Sequence, residues 1–127
     1  MIVLDASAAL SALLHDGPAR RTVAAEQLHA PHLVDTEVAH ALRRRVGAGE
    51  LTPQQGWAAL SVMQRLAVTR YPMFSLSERV WELRENVSAY DACYVALAEL
   101  LSCPLLTADA RLSRVPSLSC VVSLVPR

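Results

Sequence analysis

Two short apolar runs constrain the fold most. Ile2-Val3-Leu4 and Leu105-Leu106-Thr107 are continuous hydrophobic stretches. They are too short for helices and lack the alternation of a half-exposed strand. Runs of this kind are covered on both faces, as in a parallel sheet layered between helices. The intervening sequence supplies the helices. Ala8 to Leu14 reads as helix, stopped near Gly17-Pro18, and Ala19 to Leu28 as a second. A short strand passes near His29-Ala30. Leu33 to Val46 places Leu33, Val34, Val38, Ala41 and Leu42 on one face, with Gly47 and Gly49 at its end. Thr52-Pro53 supplies an N-cap and first-turn proline for a helix to about Leu66. Ala67-Val68-Thr69 is a possible strand and Ser77 to Glu85 a helix. Ser88 caps a helix from Ala89 to about Ser102. A helical turn at Arg111 to Arg114 leads to Pro116, and Cys120 to Leu124 is a last strand. This alternation predicts an α/β sandwich around a mainly parallel sheet.

Composition narrows the function classes. Hydrophobic residues make up 53% and charged residues 19%, which fits a packed core rather than a disordered chain. No apolar run approaches bilayer-spanning length, and Met1 to Asp5 lacks the features of a signal peptide. The cytoplasm is the expected location. Cys93, Cys103 and Cys120 form no CxxC or zinc pattern and read as reduced core thiols. Formal net charge is zero, which argues against binding nucleic acid by bulk charge. All 12 basic residues are arginines. Without lysine, P-loop kinase, Schiff-base and Ser–Lys chemistries are excluded. So is a phosphoacceptor receiver domain, which needs a lysine.

The acids sit where such a fold collects its chemistry, at the carboxyl ends of parallel strands. Ile2-Val3-Leu4 runs into Asp5, and Leu105-Leu106-Thr107 into Asp109. Asp91 opens the helix before the second of these strands, and such a helix starts at the same sheet edge. Glu37, in the first turns of the Leu33–Val46 helix, reaches that rim by the same geometry. Each acid also has a local explanation. Asp5 and Asp109 suit helix N-caps, and Ser88 with Asp91 suits a capping box. Glu37 suits the helix dipole. Taken together, carboxylates about 4 Å apart repel by about 4 kcal/mol at an effective dielectric near 20. No lysine is present to neutralise them, and Arg111 is the main arginine nearby in sequence. The pattern points to a hard divalent cation, Mg²⁺ or Mn²⁺, held by oxygen ligands. Zinc is disfavoured because His15, His29, His32 and His40 show no ligand spacing.

Val3-Leu4-Asp5-Ala6-Ser7, Tyr90-Asp91-Ala92-Cys93-Tyr94-Val95-Ala96-Leu97-Ala98 and Leu106-Thr107-Ala108-Asp109 resemble PIN domains, most closely the VapC toxin branch of toxin–antitoxin pairs. Pro31 to Val38 resembles the family segment that carries the second acid. The resemblance spans residues 1–127, in order, as a single three-layer α/β/α PIN-like domain. It implies a metal-dependent endoribonuclease whose four acids are Asp5, Glu37, Asp91 and Asp109. Asp35 competes with Glu37, which better matches the family spacing from Pro31 and Leu33. Ser7 and Thr107 fall where the family often carries small hydroxyls beside the site; turn chemistry explains them equally well. The implied ions are Mg²⁺ or Mn²⁺. The implied partners are an RNA substrate, a VapB-type antitoxin and a second copy in a homodimer. A housekeeping PIN nuclease and a non-catalytic PIN scaffold are the rival functions.

Two weaker features remain. Arg43-Arg44-Arg45 is the densest basic run, but consecutive helical residues fan widely around the axis. At most one is expected on a phosphate, and a solvated face is the simpler reading. Trp57, Leu60 and Met63 read as one apolar helix face, core before interface.

Overall fold

The computed structural model describes residues 1–127 and contains one five-stranded sheet that is parallel throughout. The strands are β1 (Ile2–Leu4), β2 (Leu28–Pro31), β3 (Val68–Tyr71), β4 (Leu105–Thr107) and β5 (Val122–Leu124), in the order β3-β2-β1-β4-β5. The helices are α1 (Ala6–Leu14), α2 (Pro18–Ala25), α3 (Leu33–Gly47), α4 (Pro53–Arg65), α5 (Ser77–Glu82) and α6 (Ala89–Leu101). Short 3₁₀ turns occupy Phe74–Leu76 and Ala110–Arg114.

The two apolar runs form the centre of the sheet. β1 lies between β2 and β4, in register Ile2 with Leu28 and Val3 with Leu105. Val3, Leu4 and Leu105 are fully buried, because helices cover both sheet faces. Helices α1 to α4 pack together on one face; α5 and α6 pack on each other, with α6 against β1, β2 and β4. From β1 the chain moves outward to β2 and β3, then returns to place β4 on the other side of β1. The order therefore reverses between β1 and β4, and a crevice opens at their carboxyl ends.

Several boundaries differ from expectation for tertiary reasons. α2 stops at Ala25, because Leu28 is recruited into β2 between Ile2 and Val68. β3 runs on to Tyr71, paired with Pro31. α5 ends at Glu82, three residues early, in a series of turns. β5 spans only Val122–Leu124. Thr52 and Gln55 close a capping box at the start of α4. Gly49, with φ of 76°, turns the chain away after α3; Gly47 is still helical.

The apolar face expected from Trp57, Leu60 and Met63 is corrected. Met63 is fully buried, but Trp57 is 61% exposed. Six residues at about 100° each set the two about 120° apart around the helix. The buried stripe is instead Gly56, Ala59 and Met63. A Cβ on Gly56 would lie 3.0 Å from Val46 Cγ2, so α4 seats tightly on α3 there. All three cysteines are free, and burial pushes their thiols above the ordinary range. No helix is long and apolar enough to cross a membrane.

Candidate active site

Asp5 occupies the switch point. It leaves β1 in extended conformation and caps α1, its Oδ1 accepting from Ala8 N at 2.9 Å. The same oxygen accepts from Ser7 Oγ at 2.7 Å, and Oδ2 accepts from Thr107 Oγ1 at 2.5 Å. The two hydroxyls also accept in turn: Ser7 Oγ from Ala108 N at 2.9 Å and Thr107 Oγ1 from Asp109 N at 3.0 Å. Both hydroxyl protons are thus aimed at Asp5, which leaves none for the 3.2 Å contact between Ser7 and Thr107. Ser7 and Thr107 therefore lock the turn after β1 to the turn after β4. Asp5 is buried, and burial raises its carboxyl above the ordinary range against these hydrogen bonds; the Asp91 charge adds to the rise.

Asp91 lies in the first turn of α6. Its backbone N donates to Ser88 Oγ at 3.1 Å, but its carboxylate does not return to the Ser88 backbone, so the expected capping box does not close. The carboxylate lines a cleft of about 440 Å³ together with Ser88 and Arg111. Burial raises it, Arg111 opposes that rise, and Asp109 reinforces it.

Asp109 caps the 3₁₀ turn, with Oδ1 accepting from Arg111 N at 3.0 Å. Its carboxylate also receives the Arg111 guanidinium, with Nη2 2.5 Å from Oδ2 and Nε 3.0 Å from Oδ1. That guanidinium holds Asp109 below the usual carboxylate range. Arg111 Nη2 stands 3.9 Å from Asp91 Oδ2 as well. The expectation of acids without a fixed cation is thereby corrected: Arg111 neutralises one side of the cluster.

Glu37 comes from α3 on one face of the sheet, and Tyr94 from α6 on the other. Tyr94 OH donates to Glu37 Oε1 at 2.6 Å. Burial, then the Glu37 carboxylate, hold the phenol well above its ordinary pKa, so it remains a donor. Sequence reasoning did not single out Tyr94, although a tyrosine in an apolar helix needs a hydroxyl partner when buried. Asp35 is engaged elsewhere: Arg70 on β3 grips it through Nε at 2.5 Å and Nη2 at 2.8 Å. A cleft of about 540 Å³ opens beside Glu37 and Ser7.

The four sequence-predicted acids come from the turn between β1 and α1, from α3, from α6 and from the turn after β4, all elements that begin at the carboxyl edge of the sheet. No three acidic, histidine or cysteine side chains are gathered closely enough to enclose an ion. The donor chemistry nevertheless fits a hard divalent cation. It is all oxygen, and the two acids raised by burial, Asp5 and Asp91, would be favoured as anions by one. Arg111 would have to yield part of its hold on Asp109.

The fold and this rim of acids define a class. The PIN-domain profile matches residues 2–118, and the chain belongs to the PIN-domain family. Within that family its full-length likeness is to VapC proteins. It is 58% identical to ribonuclease VapC9 of Mycobacterium tuberculosis, covering 100% of both chains. It is 46% identical to ribonuclease VapC1 of the same organism, over 97% of this chain and 96% of that one. Among solved structures, PAE2754 from Pyrobaculum aerophilum superposes with a TM-score of 0.73 at 22% identity, covering 95% of this chain and 87% of the other. VapC20 of M. tuberculosis, described as a Sarcin-Ricin loop cleaving toxin, superposes with a TM-score of 0.68 at 21% identity, over 97% and 100%. VapBC2 from Rickettsia felis, solved on a promoter DNA fragment, superposes with a TM-score of 0.68 at 16% identity, over 98% and 99%.

Proposed function

We propose that this chain is a metal-dependent endoribonuclease and the toxin of a VapBC-type pair. The observation that carries this reading is the fixing of Asp5 at the β1/β4 switch point by Ser7 and Thr107, with Asp91, Asp109 and Glu37 along the same rim. The full-length likeness to proteins named VapC ribonucleases supports it.

In this reading Asp5 and Asp91 hold Mg²⁺ or Mn²⁺, and Asp109 and Glu37 complete the site directly or through water. An ion held there would supply charge neutralisation at a phosphate and a more acidic water. The chain's own groups do the rest. Ser7 and Thr107 hold both oxygens of Asp5, so the carboxylate does not turn as charge builds. Tyr94 fixes Oε1 of Glu37 and leaves Oε2 to orient a water or accept its proton. Arg111 keeps Asp109 ionised and limits repulsion from Asp91.

A VapB-type antitoxin and a second copy of the chain complete the set of partners, with the cytoplasm as the site of action. The test is cleavage of mixed RNA by antitoxin-free protein with Mg²⁺, Mn²⁺ or EDTA, beside Asp5→Asn. Cleavage that needs both metal and Asp5 is the expected result. Cleavage that persists in EDTA or in Asp5→Asn would overturn the mechanism.

A further inference from the structure

The crevice does not end at the acids. The cleft beside Glu37 and Ser7 is continuous with a second, of about 440 Å³, through Leu10, Ala41 and Arg44. That second cleft is lined by Arg44, Arg45 and Arg127 with one carboxylate, Glu50, and a smaller cleft beside Ser7 is lined by His15, Arg45 and Arg127. These adjoining clefts run from Glu37 to a stretch with three arginines and one carboxylate.

Two of its arginines come from the Arg43-Arg44-Arg45 run. The run is solvated, as expected, and within it Arg44 and Arg45 line these clefts while Arg43 does not. Neighbours on a helix are about 100° apart, so two can flank one groove while the third turns away. Arg127 arrives from the far end of the chain. After β5, Val125 N donates to Thr107 O at 2.8 Å, and Ser11 Oγ donates to Pro126 O at 2.8 Å. These bonds lay residues 125–127 beside α1 and aim Arg127 into the cleft.

The state of these guanidiniums separates them from the arginines that hold the fold. Arg70, Arg79 and Arg111 each grip a carboxylate through two nitrogens, on Asp35, Glu99 and Asp109. Arg44 makes no ion pair or hydrogen bond, and Arg127 makes one bond, to Ala108 O at 3.4 Å. Arg45 has only Glu50, at 3.8 Å. Three guanidiniums with most of their donors free therefore converge on one groove. Such a fork is matched to phosphate oxygens. Tyr90, 61% exposed and adjacent to Asp91 in sequence, lines the cleft beside Glu37 as well. An aromatic face beside a basic groove is the pattern of single-strand binding.

We infer that this groove is the path of a single-stranded RNA, with Arg44, Arg45 and Arg127 holding phosphates on one side of the cut and Tyr90 stacking a base on the other. The inference rests on the nuclease reading and adds the strand's route to it. It also shows how a chain of zero net charge can hold RNA, since the positive charge is local.

The test is fluorescence anisotropy with a labelled single-stranded RNA about 12 nucleotides long. It is run in EDTA, so that the RNA stays intact, across a salt series. Arg44→Ala, Arg45→Ala and Arg127→Ala are each expected to weaken binding by about three- to tenfold, alike for different sequences. Each should also flatten the salt dependence by about 0.7 in the log–log slope. Arg43→Ala, on the same helix, should match wild type, and Tyr90→Ala should lose affinity with the slope unchanged. With metal present, the three arginine variants should raise KM and leave kcat near wild type. Wild type that cleaves RNA while all three variants bind like Arg43→Ala would overturn the groove and leave the nuclease reading standing. Wild type that neither binds nor cleaves RNA would overturn both.

Discussion

Tyr94 donates a 2.6 Å hydrogen bond to Glu37, and that bond joins the helical layers on the two faces of the sheet above its carboxyl edge. The pair fixes an acid that α3 alone would leave free to rotate. Tyr94→Phe keeps the buried ring and removes only the donor. A hydrogen bond to a charged group contributes about 1.5–3 kcal/mol, and less where the carboxylate can rehydrate. The expected outcome is a loss of about 1 kcal/mol in urea unfolding and about tenfold in kcat, with KM little changed. Unchanged kcat would remove Tyr94 from the positioning of Glu37.

Asp5→Asn should make the protein more stable while abolishing cleavage. The Asp5 carboxyl is raised above its unfolded value, mainly by burial. Ionising it therefore costs folding free energy, a cost that grows as pH rises from about 4 through the folded pKa and is complete above it. Asparagine removes the charge and keeps the bonding. Its oxygen accepts from Ser7 and Ala8, its NH₂ donates to Thr107 Oγ1, and the Thr107 proton turns to Ser7 Oγ, 3.2 Å away. In metal-free buffer at pH 7 Asp5→Asn should unfold at higher urea than wild type, a gain that vanishes below about pH 3. A destabilised Asp5→Asn at pH 7 would contradict the cost assigned to burial.

Arg111 occupies the space between Asp91 and Asp109 and competes with any cation for them. Arg111→Gln should bind Mn²⁺ several-fold more tightly in calorimetry. It should also lift the Asp109 carboxyl toward its ordinary range in a carbon-13 NMR titration. Weaker Mn²⁺ binding would show instead that Arg111 organises the site for the ion.

Asp35 and Glu37 are separated by what they touch. Asp35→Asn breaks the two-nitrogen grip of Arg70 and should cost about 1 kcal/mol in thermal or urea unfolding, with RNA cleavage within about twofold of wild type. Glu37→Gln should do the reverse, lowering cleavage by orders of magnitude with little effect on unfolding. Equal losses of activity would place both acids in the chemistry.

The sequence by itself determined the layered parallel sheet, because Ile2-Val3-Leu4 and Leu105-Leu106-Thr107 lack the polar alternation that an exposed face requires. It also determined which acids reach the rim: Asp5 and Asp109 follow their strands directly, and Ser88 and Thr52 announce their helix starts through local hydrogen bonds that need few distant partners. Only the tertiary structure decided how those acids are held. The Tyr94–Glu37 and Arg70–Asp35 pairs span 57 and 35 residues, and the Ser7–Ala108 bond spans 101. The basic groove needed α3 and the chain's end, 82 or more residues apart, to meet beside α1. Periodicity records which face a residue takes on its own element. Which partner it meets depends on the order of strands in the sheet, and that order is set by the packing of the whole core.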